Sequence, residues 1–273
     1  MVQSPLVANA RMYSVAPAAE AAWRALLEHV GAEAGVALDY FEWPAPRPLE
    51  PLWARADLGA VQMCGFPVAL GLAPVEPIAA PVPDAPWAGG AALYRSDFIV
   101  CADSRFRTLE DTFGHRFGWT VAHSQSGFNA PRHHLMGLRT PQRPRFFGEV
   151  RGDLITARAV VDAVIAGEID VGPLDAYWHM QLQLHRPELA ERLRVVASTR
   201  TMPMPPFVGA HDMPARTLSA LRAAFTAAAA RPWFAALAAP LRLTGFAPAA
   251  RADYDVTLAW DAEAKARGYP LPA

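Results

Sequence analysis

The sequence predicts an α/β fold of two lobes, each a mostly parallel sheet flanked by helices, and three observations carry that prediction. Apolar runs of strand length alternate with stretches of helical periodicity, the pattern of βαβ units. The alternation occurs twice, on either side of a β-rich segment near residues 94–98. At 273 residues the chain also exceeds the size of a typical single core.

In the first set, Leu6 to Ala10 reads as a short strand, and Pro17 opens the helical stretch AAEAAWRALLEHVGAEAG. Its apolar positions Trp23, Leu26, Leu27 and Val30 recur at helical spacing, and Gly31 follows that face as its expected stop. VALDYFEW alternates as a strand, RPLEPLWARA is a short helix, LGAVQM an apolar strand, and CGFPVALGL a helix or turn. The Pro-rich stretch from Ala73 to Pro86 carries no periodicity and is assigned no element.

AALYRSDFIVCA then carries the chain out of the first lobe, crossing near 94–98. LEDTFG is a short helix, HRFGWTVA a strand, SQSGFNAPRHHLMGL a loop entering a helix and RFFGEVRG a strand. The helix ITARAVVDAVIAGE and the strand IDVGPL follow. LRVVASTRTMPMPPFVGA is a strand broken by Pro203, Pro205 and Pro206, which suits a return crossing near 198–206 rather than a central strand. From Pro214 onward the chain reads as helices packing back on the first lobe, SALRAAFTAAAA being the clearest. The expected division is therefore 1–95 with 202–273 as lobe 1, and 96–201 as lobe 2.

Composition narrows the function. Hydrophobic residues make up 52% and charged residues 19%, enough apolar material for buried sheets and not the balance of a disordered chain. The net charge is −1 and the 25 basic residues are scattered, so the footprint of nucleic-acid binding is missing. Cys64 and Cys101 have no metal spacing and allow at most one disulfide. His123, His133 and His134 lack a second ligand group at metal spacing, so no metal site is expected. No Gly-x-Ser-x-Gly, zinc motif, P-loop or Rossmann glycine fingerprint occurs, which favours binding over catalysis and implies no cofactor.

Several residues stand where a ligand could be held. Ser124, Gln125 and Ser126 follow a strand and precede a helix, so hydroxyls and helix-start N–H groups converge there; simple helix capping is the competing role. Gln62 and Cys64 lie at the C-terminal end of a predicted parallel strand, the edge where open α/β sheets place ligands; a buried structural cysteine is the alternative. Asp175 ends a strand among apolar neighbours, where a carboxylate needs a hydrogen-bonding partner or a ligand. Tyr13 and Tyr94 each offer an apolar ring with a polar tip, or simply packing.

Six segments occur in order along nearly the whole chain: MYS at 12–14, QMCGFP at 62–67, YRS at 94–96, SQSG at 124–127, AGEIDVGPLDAYW at 166–178 and TRTMPMPPFV at 199–208. Together they resemble the phosphonate/phosphite-type substrate-binding proteins of ABC transporters. The resemblance implies a type II periplasmic-binding-protein-like fold whose two lobes, joined by two crossing strands, close by hinge motion on a ligand in the cleft between them. It implies a small polar, anionic ligand, an ABC permease as partner, and ligand-facing roles for Tyr13, Tyr94, the Ser-x-Ser-Gly turn and Asp175. A monomer is expected, periplasmic if a signal segment has been trimmed and cytoplasmic otherwise, since the start MVQSPLVANARMY shows no such signal.

One departure bears on the ligand. Where the family commonly carries a Thr-Gly-Ser-His-like stretch, this chain has Leu154, Ile155, Thr156 and Ala157, so the anion-gripping histidine is absent and Thr156 stands among the ligand-facing residues. Losing a charge-assisted donor weakens the hold on a doubly charged phosphonate, with Arg151 or Arg158 as candidate replacements. A carboxylate, sulfonate or neutral heterocycle is therefore expected rather than a simple phosphonate. Two other functions fit the same scaffold. One is an enzyme similar to the chorismate dehydratases of the menaquinone pathway or the pyrimidine synthases of thiamine biosynthesis, using Asp175 with His123. The other is a cytoplasmic ligand-sensing module.

Overall fold

A computed structural model describes residues 4–273; the expectation about a leader bears in part on residues 1–3, outside the described residues. The first stretch runs β1 (Leu6–Asn9), α1 (Pro17–Ala34), β2 (Leu38–Tyr40), α2 (Glu50–Trp53), β3 (Leu58–Gln62), α3 (Gly65–Leu70) and β4 (Val75–Pro83). Next come β5 (Leu93–Tyr94), β6 (Ser96–Cys101), β7 (Arg116–Gly118), α4 (Ala130–Leu138), β8 (Glu149–Arg151), α5 (Ala157–Ile165) and β9 (Val171–Asp175). The rest is α6 (Ala176–His185), α7 (Pro187–Ala190), β10 (Leu193–Ser198), β11 (Met202–Pro203), β12 (Phe207–Ala210), α8 (Ala215–Ala227), α9 (Phe234–Leu241), β13 (Leu243–Pro248) and α10 (Asp255–Ala266). Two compact units result: residues up to Leu93 with Pro203–Tyr254, and Tyr94–Met202 with Asp255–Ala273.

The first unit holds a six-stranded sheet in the order β13-β4-β12-β3-β1-β2. β1 is parallel to β2 and β3, whereas β12 runs antiparallel to β3 and β4, and β13 antiparallel to β4. The second unit holds a five-stranded sheet, β10-β6-β9-β7-β8, with β7 parallel to β8 and β9 but β6 antiparallel to β9 and β10. Both sheets are thus mixed rather than mostly parallel. A crossover helix returns the chain in the same sense, but β12 and β6 follow directly from connecting segments and enter against their neighbours.

Three other local expectations change. The Pro-rich stretch assigned no element forms the nine-residue β4, an interior strand. Pro81 and Pro83 share one parity, so their missing N–H groups fall on one flank of the strand and leave the other flank's donors intact, while Pro77 sits at a register shift against β12. Helix α1 runs through Gly31 to Ala34 and stops at Gly35, whose φ of 63° is the left-handed conformation that glycine reaches without strain. Gly31 is needed for another reason: a Cβ there would lie 2.7 Å from the Val36 carbonyl oxygen. Finally, α10 packs in the second unit, where Ala264 and Tyr269 join a core of Phe98, Phe117, Leu135 and Val171. Periodicity defines the apolar face of a helix and does not say which surface that face covers.

Candidate functional site

In the second unit the polypeptide beyond β7 turns at Thr120 and reaches a helix start at Ser124. The Ser124 hydroxyl accepts from the Gly127 N–H at 2.9 Å, and the Ser124 carbonyl accepts from the Asn129 N–H at 3.0 Å. The first turn, Gln125–Asn129, is accordingly a π-turn that leads into α4. Ser124 therefore caps the helix. Gln125 is buried; its Oε1 accepts from Asn129 Nδ2 at 2.7 Å and its Nε2 lies 3.2 Å from Met202 Sδ, which turns it toward the interior. Ser126 is half-exposed, as is Ser124. Its carbonyl is held by the Ser96 hydroxyl at 2.8 Å, and its own hydroxyl makes no hydrogen bond among the described residues.

A second helix start lies beside the first. Thr156 caps α5, its hydroxyl accepting from the Ala159 N–H at 3.1 Å. Thr120 joins the two starts: its N–H donates to the Gly127 carbonyl and its carbonyl accepts from the Ile155 N–H, each at 3.3 Å. Ile155 has a φ of 65°, a conformation that a β-branched residue adopts only under strain. The Thr120 hydroxyl is buried without a partner among the described residues. Sequence reading missed Thr120, because a threonine after a strand carries no distinguishing signal.

At Gly127 the contact is close enough to predict. A Cβ there would lie 1.9 Å from Thr120 Oγ1 and 2.9 Å from Thr120 Cβ. Gly127→Ala is expected to cost about 1–3 kcal/mol by overpacking and to disturb both helix starts. Thr120→Ala in the same chain should recover part of it, and thermal unfolding of the single and double variants measures this.

Asp175 ends β9 opposite Ser96 of β6 and caps α6, its Oδ1 accepting from the Tyr177 and Trp178 N–H groups at 2.9 and 3.1 Å. That pairing offsets its desolvation. Tyr94 is buried two residues before Ser96. Ser126, Thr156, Asp175 and Tyr94 are thus brought to one edge of the second sheet. The candidate replacement cations are otherwise engaged: Arg151 pairs with Glu168, and Arg158 with Asp162 at 2.8 Å, all exposed.

The first unit carries the other residues. Tyr13 follows β1 in a short 3-10 turn and is buried; its carbonyl accepts from Trp23 Nε1 at 3.3 Å. Gln62 is the last residue of β3, and because β1 and β3 are parallel neighbours, the Tyr13 and Gln62 positions share an edge. The Gln62 carboxamide is buried with no partner for Oε1 or Nε2 among the described residues. Cys64 is buried at the start of α3 without a side-chain capping bond, and neither Cys64 nor Cys101 forms a disulfide.

Behind the Ser124 helix start lies a buried polar network that sequence reading also missed. Arg132, 1% exposed, donates to Asp261 at 2.5 Å, to Asn129 Oδ1 at 2.7 Å and to the Pro270 carbonyl at 3.1 Å. Asn129 in turn donates to the Thr257 carbonyl at 2.9 Å. Burial alone would raise the Asp261 pKa, but hydrogen bonds from Lys265 and Arg132 outweigh it and hold the carboxyl below its ordinary value. The network fastens the helix that begins at Ser124 to α10.

Residues 16–254 match the family described as "ABC transporter, phosphonate, periplasmic substrate-binding protein". No curated protein matches the sequence. Among solved structures, a binding-protein component of an ABC phosphonate transporter from Pseudomonas aeruginosa is similar, with 19% identity over 97% of this chain and 88% of that one, and a TM-score of 0.79. PhnD1 from Prochlorococcus marinus in complex with methylphosphonate shares 15% identity over 96% and 99% of the two chains, with a TM-score of 0.74. A Xanthomonas citri protein bound to ATP shares 19% over 97% and 98%, with a TM-score of 0.66. At these identities the likeness shows the fold, the two-lobed fold of periplasmic binding proteins. The family implies a small-molecule ligand and a permease partner, and among the described residues no helix is long and apolar enough to cross a membrane. The match over most of the chain places this protein in the family of phosphonate-type periplasmic substrate-binding proteins of ABC transporters.

Proposed function

We propose that the protein is a monomeric periplasmic receptor of an ABC importer that captures a small polar anion by hinge closure and hands it chemically unchanged to the permease. The observation that supports this most is the helix start at Ser126: the neighbouring serine is consumed as the cap, while the Ser126 hydroxyl is left without a partner among the described residues. Hydroxyl and first-turn N–H groups at such a start favour a negatively charged oxygen. Tyr13 and Gln62 are the first unit's contribution in this reading.

The charge of the ligand follows from what surrounds those groups. Arg151 and Arg158 are each held by a carboxylate, so the second unit's helix starts present N–H groups and hydroxyls rather than a free cation. A dianion would be undercompensated, and a carboxylate, sulfonate or neutral heterocycle fits better than a simple phosphonate.

A melting-shift screen of small carboxylates, sulfonates and phosphonates identifies ligands, because anything that binds the native form raises its stability. With the best hit, Ser126→Ala is expected to weaken binding by about 1.5–3 kcal/mol in calorimetry while leaving the melting temperature of the free protein unchanged. An unchanged dissociation constant would remove Ser126 from the site, and tight binding of methylphosphonate would overturn the charge argument.

A further inference from the structure

The geometry points to a second binding site on this protein, for a small monocarboxylate, in a groove where Arg200 faces one side of helix α4. The groove is open to solvent, has a volume of about 220 Å³ and is lined by Ala130, His133, His134, Gly137, Thr199, Arg200 and Trp260. The four α4 residues are spaced i, i+3, i+4 and i+7, so they form a single helix face. It begins four residues beyond Ser126, and Thr199 on the groove wall is linked to the Ser126 carbonyl through Ser96. Ala130 and Gly137 open the floor; a Cβ at Gly137 would meet nothing within 4 Å.

The polar groups around the groove favour an anion. None of the lining residues is acidic. Arg200 is exposed, its guanidinium lies 4.1 Å from the centre of the Trp260 ring, and no carboxylate among the described residues is within ion-pair distance of it. The nearby acid, Glu263, feels the charge of Arg200 but is bound by His133 Nε2 at 2.8 Å and by Arg267 at 3.6 Å. His133 itself stacks on Trp260 at 4.9 Å. The Thr199 hydroxyl is spent within the chain, donating to the Arg200 carbonyl and accepting from the Ser96 N–H, both at 3.0 Å. Burial, with His133 adding to it against an opposing Glu110, holds the His134 imidazole below its ordinary pKa, so at neutral pH it is an uncharged hydrogen-bonding group.

One unpaired guanidinium, steadied on an aromatic face, matches one carboxylate in the two-pronged geometry that arginine favours. The walls of the groove are mostly carbon, which suits a short hydrocarbon body. The volume is below the roughly 300–1,000 Å³ of ordinary ligand pockets, which limits the guest to a small acid.

Benzoate and butyrate are the probes, titrated into the intact protein by calorimetry and followed at the Trp260 indole N–H signal, assigned with Trp260→Phe. The expected result is saturable one-to-one binding that weakens about tenfold or more in Arg200→Gln. Affinity should be unchanged in Ser126→Ala, and benzamide should not bind. Absence of saturable binding, or binding lost in Ser126→Ala and kept in Arg200→Gln, would overturn the proposal. The second outcome would assign the acids to the helix-start site instead and so support the importer reading, whereas the first leaves that reading untouched.

Discussion

Replacing Arg132 with alanine is expected to lower the unfolding free energy by about 3–5 kcal/mol, read from the denaturant midpoint of the second unit's transition. The side chain is almost wholly buried and gives up contacts with Asp261, Asn129 and the Pro270 carbonyl together. What remains is a carboxylate with only Lys265 beside it and a buried amide oxygen without its donor. The effect has a pH signature. Because the folded Asp261 pKa lies below its ordinary 3.8, the pair contributes fully above that value and its contribution is lost as the pH falls through the lower folded pKa. The difference between wild type and variant should therefore narrow in strong acid to what the Asn129 and Pro270 bonds contribute. A loss under about 1 kcal/mol at neutral pH would contradict the reading of this pair as a buried, hydrogen-bonded one. Arg132→Met with Asp261→Leu should recover much of the loss, because neither charge is then left alone.

Trp23→Ala carries a comparable penalty in the first unit, about 3–5 kcal/mol, because it empties the centre of a core. Trp23 is fully buried and meets Phe207 edge-on at 5.6 Å; Phe207 stacks on Phe225 at 5.0 Å, and Phe225 meets Phe246 at 5.0 Å. This series ties α1 to β12, α8 and β13. The indole N–H also holds the Tyr13 carbonyl, so the substitution should loosen the turn that presents Tyr13 as well as lower the melting temperature. Trp23→Phe, which keeps an aromatic ring and loses only that hydrogen bond and some volume, should fall well short of the alanine effect. Equal effects in the two variants would mean that the hydrogen bond, not the packing, dominates.

Much of the scaffold around the candidate site was legible along the chain. The strand ending at Gln62, the helix begun by Pro17 and the turn at Ser124 are local patterns whose causes lie within a few residues. Other readings were incomplete because a second segment decides them. Gln125 looked like a ligand group, yet Asn129 and Met202 draw it inward. The Pro-rich stretch looked irregular, yet β12 and β13 pair with it on either side. Arg151 and Arg158 looked available, and each has a carboxylate close by.

The sequence by itself determined most of the alternation of strands and helices and, through six ordered segments, the family. Tertiary structure alone decided that both sheets are mixed, that α10 belongs to the second unit, and which of the three turn residues keeps a hydroxyl to offer. The physical reason is range. Periodicity and capping act over one or two turns, whereas the Arg132–Asp261 pair joins residues 129 positions apart, a distance over which spacing carries no information about which groups will meet.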